Sequence, residues 1–141
     1  MENQWSIGQA SAKAVQAVVD GINAYNEEII PATHPQWTPI ELAVSDAQGQ
    51  TIAGLLGGIG CWGGLEIKIL WVSPNHRRKG IGCRLLNEAE EKARALGASI
   101  TRLDTFDFQA KDFYLHHGYQ ISGSIENFPP GHQRYYCYKR L

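Results

Sequence analysis

The chain has 141 residues, 43% hydrophobic and 19% charged, with a formal net charge of −1; this suffices for one domain with its own core, so residues 1–141 are expected to form a single domain. Cations and anions are interspersed, which leaves no electrostatic footprint for a nucleic-acid or membrane partner, and no apolar run approaches membrane-spanning length. Cys61, Cys83 and Cys137 are odd in number, widely spaced and free of any C-x-x-C pattern, which argues against a disulfide framework or a zinc knuckle and for a reducing cytoplasm.

Taken in order, Trp5–Gln9 reads as a short first strand, and Val15, Val18, Val19, Ile22 and Ile29 recur at helical spacing in a helix ending near Ile30. Pro31, Pro35 and Pro39 punctuate a loop that holds His34 and Trp37, because proline cannot donate to a helix or an inner ladder. Leu42–Val44 and Thr51–Leu56, joined by the turn signal Asp46-Ala47-Gln48-Gly49, predict a hairpin. Leu65–Val72 is a strand with Leu65, Ile67, Ile69 and Trp71 on one face and Glu66 and Lys68 on the other. After Pro74, a helix from Ile81 presents Ile81, Leu85, Ala89, Ala93 and Leu96 on its apolar face, pairs Glu88/Lys92 and Glu90/Arg94 on its exposed side, and stops at Gly97. A strand over Ile100–Phe106, a short helix over Ala110–His117 and closing strands over Tyr119–Ile125 and Arg134–Tyr138 complete a mixed α/β pattern.

The segment Arg77-Arg78-Lys79-Gly80-Ile81-Gly82 lies between that strand and that helix. Helix N-termini carry unpaired N–H groups and a partial positive charge, so acidic residues are favoured in the first turn. Here three cations precede it instead. Two glycines and a cationic approach to a positive helix end fit a pyrophosphate cradle completed by an external anion; the bland alternative is a solvated basic turn. Gly58-Ile59-Gly60-Cys61-Trp62-Gly63 fits G-x-G-x-x-G but runs into a strand rather than opening a helix, so it reads as a glycine-rich hairpin turn. His116-His117 lacks metal spacing and reads as helix surface, and no metal is expected. Cys83, without an obvious base partner in the sequence, reads as packing.

Arg77-x-x-Gly80-x-Gly82, entered through Leu70-Trp71-Val72-Ser73-Pro74 and followed by Ala110-x-x-Phe113-Tyr114-x-x-x-Gly118-Tyr119, resembles the signature of the GNAT superfamily of acyl-CoA-dependent N-acetyltransferases. The resemblance covers roughly the C-terminal half. It implies a mixed, mostly antiparallel sheet flanked by helices, with a splayed strand pair at the CoA site. It implies acetyl-CoA as donor, with the backbone amides of Arg78, Lys79, Gly80, Ile81, Gly82 and Cys83 on the pyrophosphate, the basic side chains of Arg77, Arg78 and Lys79 screening its charge, and the strand around Leu70, Trp71 and Val72 on the pantetheine arm. Gln109 and Phe113 line the same cofactor. It implies Glu66 as general base and Tyr114 as the acid for the leaving sulfur. The sequence departs from many relatives at Asp107, where they carry Asn.

The acceptor is expected to be a small-molecule primary amine. Tyr25, Glu28, Trp37, Asp104 and Glu126, with Glu27 and Asp107, are the acids and aromatic faces that would hold a cationic one; ordinary solvated surface is the alternative. An acceptor on protein lysines or N-termini, and a non-catalytic acyl-CoA-binding module, are rival readings. Family habit suggests a homodimer, with Tyr135, Tyr136 and Tyr138 on a closing strand as the edge.

Overall fold

A computed structural model describes residues 4–141. They divide into two units, one ending at Ala32 and the other spanning Thr33–Leu141. In the first, α1 (Ala12–Ile29) starts where Ser11 Oγ accepts the Ala14 amide at 3.1 Å, a cap that satisfies one orphan donor. It ends before Pro31, with Glu27 Oε2 accepting the Ala32 amide at 2.9 Å. Trp5–Gln9 forms no strand. A strand needs a ladder partner, and the only sheet among the described residues lies in the second unit without it.

That sheet has six strands: β1 (Trp37–Ser45), β2 (Thr51–Gly60), β3 (Gly64–Val72), β4 (Ile100–Phe106), β5 (Gln120–Glu126) and β6 (Gln133–Arg140), in the order β1-β2-β3-β4-β6-β5. Every neighbouring pair is antiparallel except β3/β4, so the fold is the expected mixed, mostly antiparallel sheet with helices. β1 begins earlier than the prolines suggested and contains Pro39. It is an edge strand, where a missing amide donor costs no ladder bond. The other edge is β5, not the tyrosine-bearing β6, which is paired on both sides. No helix among the described residues is long and apolar enough to cross a membrane.

The core lies between one sheet face and α2 (Ile81–Ala95). Leu55, Ile59, Leu65 and Ile67 meet Leu85, Leu86, Ala89 and Ala93 there. Two helix assignments change. Leu96 is half exposed at the C-cap. Glu90, expected on the surface with Arg94, is 2% exposed: it follows Leu86 by four residues and so shares the buried face. Its carboxylate accepts from Lys139 Nζ at 2.6 Å and from the Tyr119 hydroxyl at 3.0 Å, while Arg94 pairs with Glu91.

Two irregularities shape the region that matters for chemistry. In the β2/β3 ladder, Leu56 faces Ile69 but Gly57 faces Ile67, so Lys68 is an extra residue in a β-bulge. The bulge reverses the alternation. Leu65 and Ile67 point into the core, whereas Ile69 and Trp71, predicted on the same face, are exposed. Gly57 permits the close approach, since a Cβ there would lie 2.2 Å from the Glu66 carbonyl oxygen. Secondly, β3 pairs with β4 only over Gly64–Glu66 and Ile100–Arg102. Beyond Glu66 the two strands part.

Candidate functional site

The parting of β3 and β4 opens a cleft of about 820 Å³. One wall is Ile67–Val72 of β3, whose edge toward β4 no longer has a strand beside it. The opposite wall is Asp104 and Thr105 of β4 and the start of α3 (Lys111–His116), with Phe113 and Tyr114. The floor is the loop and first turn of α2.

That loop leaves β3 through a 3₁₀ turn, Pro74–His76, where Ser73 Oγ and His76 Nδ1 lie 2.7 Å apart. Arg77 folds back so that its Nε donates to the Val72 carbonyl at 3.0 Å, tying the loop to the strand end. Arg78 and Gly80 both adopt left-handed conformations, φ 63° and 78°. Arg78 pays for a backbone that favours glycine. Gly80 is the N-cap of α2 and supplies no side chain to it, and the first turn holds no acid. The amides of Ile81, Gly82 and Cys83 therefore have no hydrogen-bond partner among the described residues. Every predicted donor-binding residue lines the cleft except Lys79. Gly82 packs its α-carbon side toward Phe113, and Gln109 Oε1 accepts the Phe106 amide at 3.2 Å, holding the corner between β4 and α3.

Tyr114 is 6% exposed, its ring edge-on to Phe113 and Tyr119 at 5.3 and 5.6 Å. Its hydroxyl hydrogen-bonds no described residue, and burial pushes its pKa up to about 12, with the nearby Cys137 and Asp104 contributing further. Glu66 occupies the apex of the parting, the last β3 residue paired to β4, but does not line the cleft. Its register partner is Arg102, whose Nη2 donates to Oε2 at 3.2 Å.

A cleft between parted strands, floored by an uncapped helix N-terminus behind a cationic loop, coincides with the match of the acetyltransferase (GNAT) domain model to residues 40–121. The chain belongs to the GNAT acetyltransferase family. Blasticidin-S acetyltransferase of Streptomyces morookaense is 36% identical over 107 residues, 73% of this chain and 78% of that protein. The crystal structure of a Bacillus cereus acetyltransferase matches with a TM-score of 0.89 and 31% identity, covering 97% of this chain and 98% of that one. A Bacillus anthracis acetyltransferase solved in complex with acetyl coenzyme A shares the fold, with a TM-score of 0.65 and 20% identity over 77% of this chain and 65% of that one. This GNAT protein is accordingly an acyltransferase enzyme.

The predicted acceptor residues are less united. Tyr25 and Glu28 belong to α1, in the first unit. Trp37 opens β1 with Lys68 Nζ 4.5 Å from its ring centroid, so its cation–π face already carries the bulge lysine. Asp104 lines the cleft, and Arg134 of β6 holds one of its oxygens, Oδ2, through Nε at 2.8 Å and Nη2 at 2.7 Å. Arg134 in turn lies over Phe106, Phe128 and Tyr136. Glu126 ends β5 and makes no ion pair among the described residues. Asp107 accepts from His132 Nδ1 at 2.9 Å, and His132 meets Phe108 edge-on. His34 is structural, bridging to the Leu96 carbonyl at 2.9 Å.

Two residues read as inert in the sequence change meaning. His117 does not lie on the helix surface with the exposed His116; it lines the cleft, half-buried. Cys83 lies beside it, Sγ to Nε2 at 3.1 Å. The two are 34 positions apart, so no local pattern announces them; only the double motif, which folds α3 over the α2 N-terminus, carries that signal.

Proposed function

We propose that the protein, as one acetyltransferase domain, transfers the acetyl group of acetyl-CoA to the primary amine of a small molecule by direct attack in a ternary complex. The observation that carries the reading is the set of three unpartnered amides, Ile81–Cys83, on the floor of the cleft that the β3/β4 parting opens. An anion on those amides completes a helix end that the chain leaves uncapped and acid-free. A pantetheine arm fits alongside β3 as an added strand would, taking its backbone groups beyond Glu66.

The thioester supplies the activated acyl group; the chain's residues position it and manage two protons. An alkyl ammonium with a pKa of about 10.4 must lose a proton before it can attack. Glu66 at the apex takes it, directly or through a water. The sulfur that departs has a conjugate thiol pKa of about 8.5, so full proton transfer from a phenol near pKa 12 would be uphill by about 5 kcal/mol. Tyr114 therefore donates a hydrogen bond to the developing thiolate and keeps its proton. That is a narrower role than the acid the resemblance implied.

For the acceptor, the relative named for blasticidin S supports a small molecule. A cationic amine finds Asp104 Oδ1, which Arg134 leaves open, and Glu126 as its acids. A panel of polyamines, aminoglycosides, lysine peptides and amine acceptors of neutral or acidic character with acetyl-CoA tests both statements. Thiol release with small amines supports the reading; turnover only on peptides, or only on neutral or acidic acceptors, overturns the corresponding half.

A further inference from the structure

The cleft holds a chemistry that acetyl transfer leaves unused. His117 Nδ1 is 2.8 Å from the Phe113 carbonyl oxygen. A carbonyl only accepts, so Nδ1 bears the hydrogen, and in the neutral ring Nε2 is then the bare nitrogen. Cys83 Sγ lies 3.1 Å from that nitrogen, so the thiol donates to it. Asn87, one turn along α2, aims Nδ2 at the same sulfur from 3.6 Å. An amide nitrogen only donates, which suits a sulfur that has given up its proton. The imidazole is further held against the Phe113 ring at 4.4 Å between centroids. Nucleophile, base and a group that orients the base are thus assembled, and both Cys83 and His117 line the cleft. The other two cysteines lack this: Cys137 is 2% exposed, and no hydrogen bond reaches Cys61 Sγ among the described residues.

We propose that Cys83 and His117 form a nucleophilic thiol–imidazole pair, a modification site at which low-mass disulfides attach to the enzyme as mixed disulfides. Sγ attacks one sulfur of the reagent, whose S–S bond breaks. The Cys83 proton passes to Nε2, and from the imidazolium to a departing alkyl thiolate, which leaves as a free thiol, or to solvent where the leaving group is an acidic aryl thiolate; the disulfide itself is the oxidant. The attached group then occupies the cleft beside the amides of Ile81–Cys83 and blocks the donor. This last consequence rests on the function proposed above, whereas the reactivity of the pair does not.

The test is a time course with an aryl disulfide such as dithiobis(nitrobenzoate), with peptide mass spectrometry reading each cysteine separately. At neutral pH, Cys83 should react roughly tenfold or more faster than Cys61, and His117→Gln should slow Cys83 by roughly tenfold or more without altering Cys61. Buried Cys137 reports folding, since it stays unreactive while the core is intact. Saturating acetyl-CoA should protect Cys83 alone, and reduction should restore turnover to the modified enzyme. Cys83 reacting no faster than Cys61 in the wild type overturns the proposal. So does an unchanged Cys83 rate in His117→Gln with Cys137 still protected; should that variant unfold, the wild-type ratio decides alone. Fast labelling of Cys83 that acetyl-CoA does not slow would leave the pair standing and refute the donor placement.

Discussion

Replacing Tyr114 with phenylalanine isolates one hydrogen bond. The ring stays, with its edge-on contacts to Phe113 and Tyr119, and the deleted hydroxyl leaves no described residue unpaired, so the melting temperature should barely move. On the mechanism proposed above, what disappears is a donor to a sulfur that becomes charged only as the acyl group departs. A hydrogen bond to a charged acceptor contributes about 1.5–3 kcal/mol, so kcat should fall roughly 10- to 150-fold. The KM for acetyl-CoA should stay within about twofold, because a neutral thioester sulfur gains little from that donor. The assay is thiol release with any amine the wild type turns over, run also with a thioester whose thiol is more acidic; a better leaving group needs less help, so the defect should shrink. A loss of turnover below about threefold, or one expressed mainly in KM, would refute this account of Tyr114.

Gly80→Ala places a residue with a Cβ at φ 78°, where that Cβ meets nothing within 4 Å, so its cost is conformational: about 1–2 kcal/mol in chemical denaturation and a raised KM for acetyl-CoA, with Gly80→Asn milder on both. Gly57→Ala sets a Cβ 2.2 Å from the Glu66 carbonyl oxygen and must push β2 from β3 at the bulge, lowering stability by roughly 2 kcal/mol or more in the same measurement. Lys139→Met strands the buried Glu90 carboxylate and should cost about 3–5 kcal/mol, with much of it recovered in the Glu90→Leu, Lys139→Met double variant. Tyr114, whose folded pKa is raised from 10.0 to about 12, contributes stability that is complete below pH 10 and is lost as pH rises toward 12. About 1.4 kcal/mol should be gone by pH 11 in urea titrations, and that part of the decline should be missing in Tyr114→Phe.

Much of the fold is legible because local signals agree with it. Gly80 and Gly97 bound the second helix where its start and stop should fall, and the Asp46–Gly49 turn receives its hairpin, Asp46 Oδ1 accepting the amides of Gln48 and Gln50. The shape of the candidate donor cleft is legible for the same reason: most of the residues expected there form one continuous stretch, Leu70–Cys83, whose geometry short-range sequence dictates, and Gln109 and Phe113 join it from the second motif. The failures are nonlocal. Strict alternation mislays Ile69 and Trp71 because one extra residue, Lys68, reverses the faces of a strand. Glu90 looks solvated until Lys139, 49 positions later, arrives beside it. Cys83 and His117 look inert for the same reason.

The acceptor side is harder to read because its charges are shared. Past the bulge, Ile69 and Trp71 turn to the face that carries Glu66, and cross-strand pairing sets the exposed Leu56 directly beside Ile69. The acids nearby come with partners: Arg102 on Glu66, Arg134 on Asp104. An ammonium group arriving there competes with resident guanidinium groups, and exposed ion pairs are worth only about 0.2–1 kcal/mol, so exchanging one cation for another gains little. Covering the apolar side chains gains more, at about 25 cal/mol per Å² removed from water. Carboxylates counted along the sequence therefore overstate the pull on a cation. For the acceptor proposed above, the apolar strip that the bulge exposes on the face of Glu66 would add apolar contact to the pull of Asp104 and Glu126.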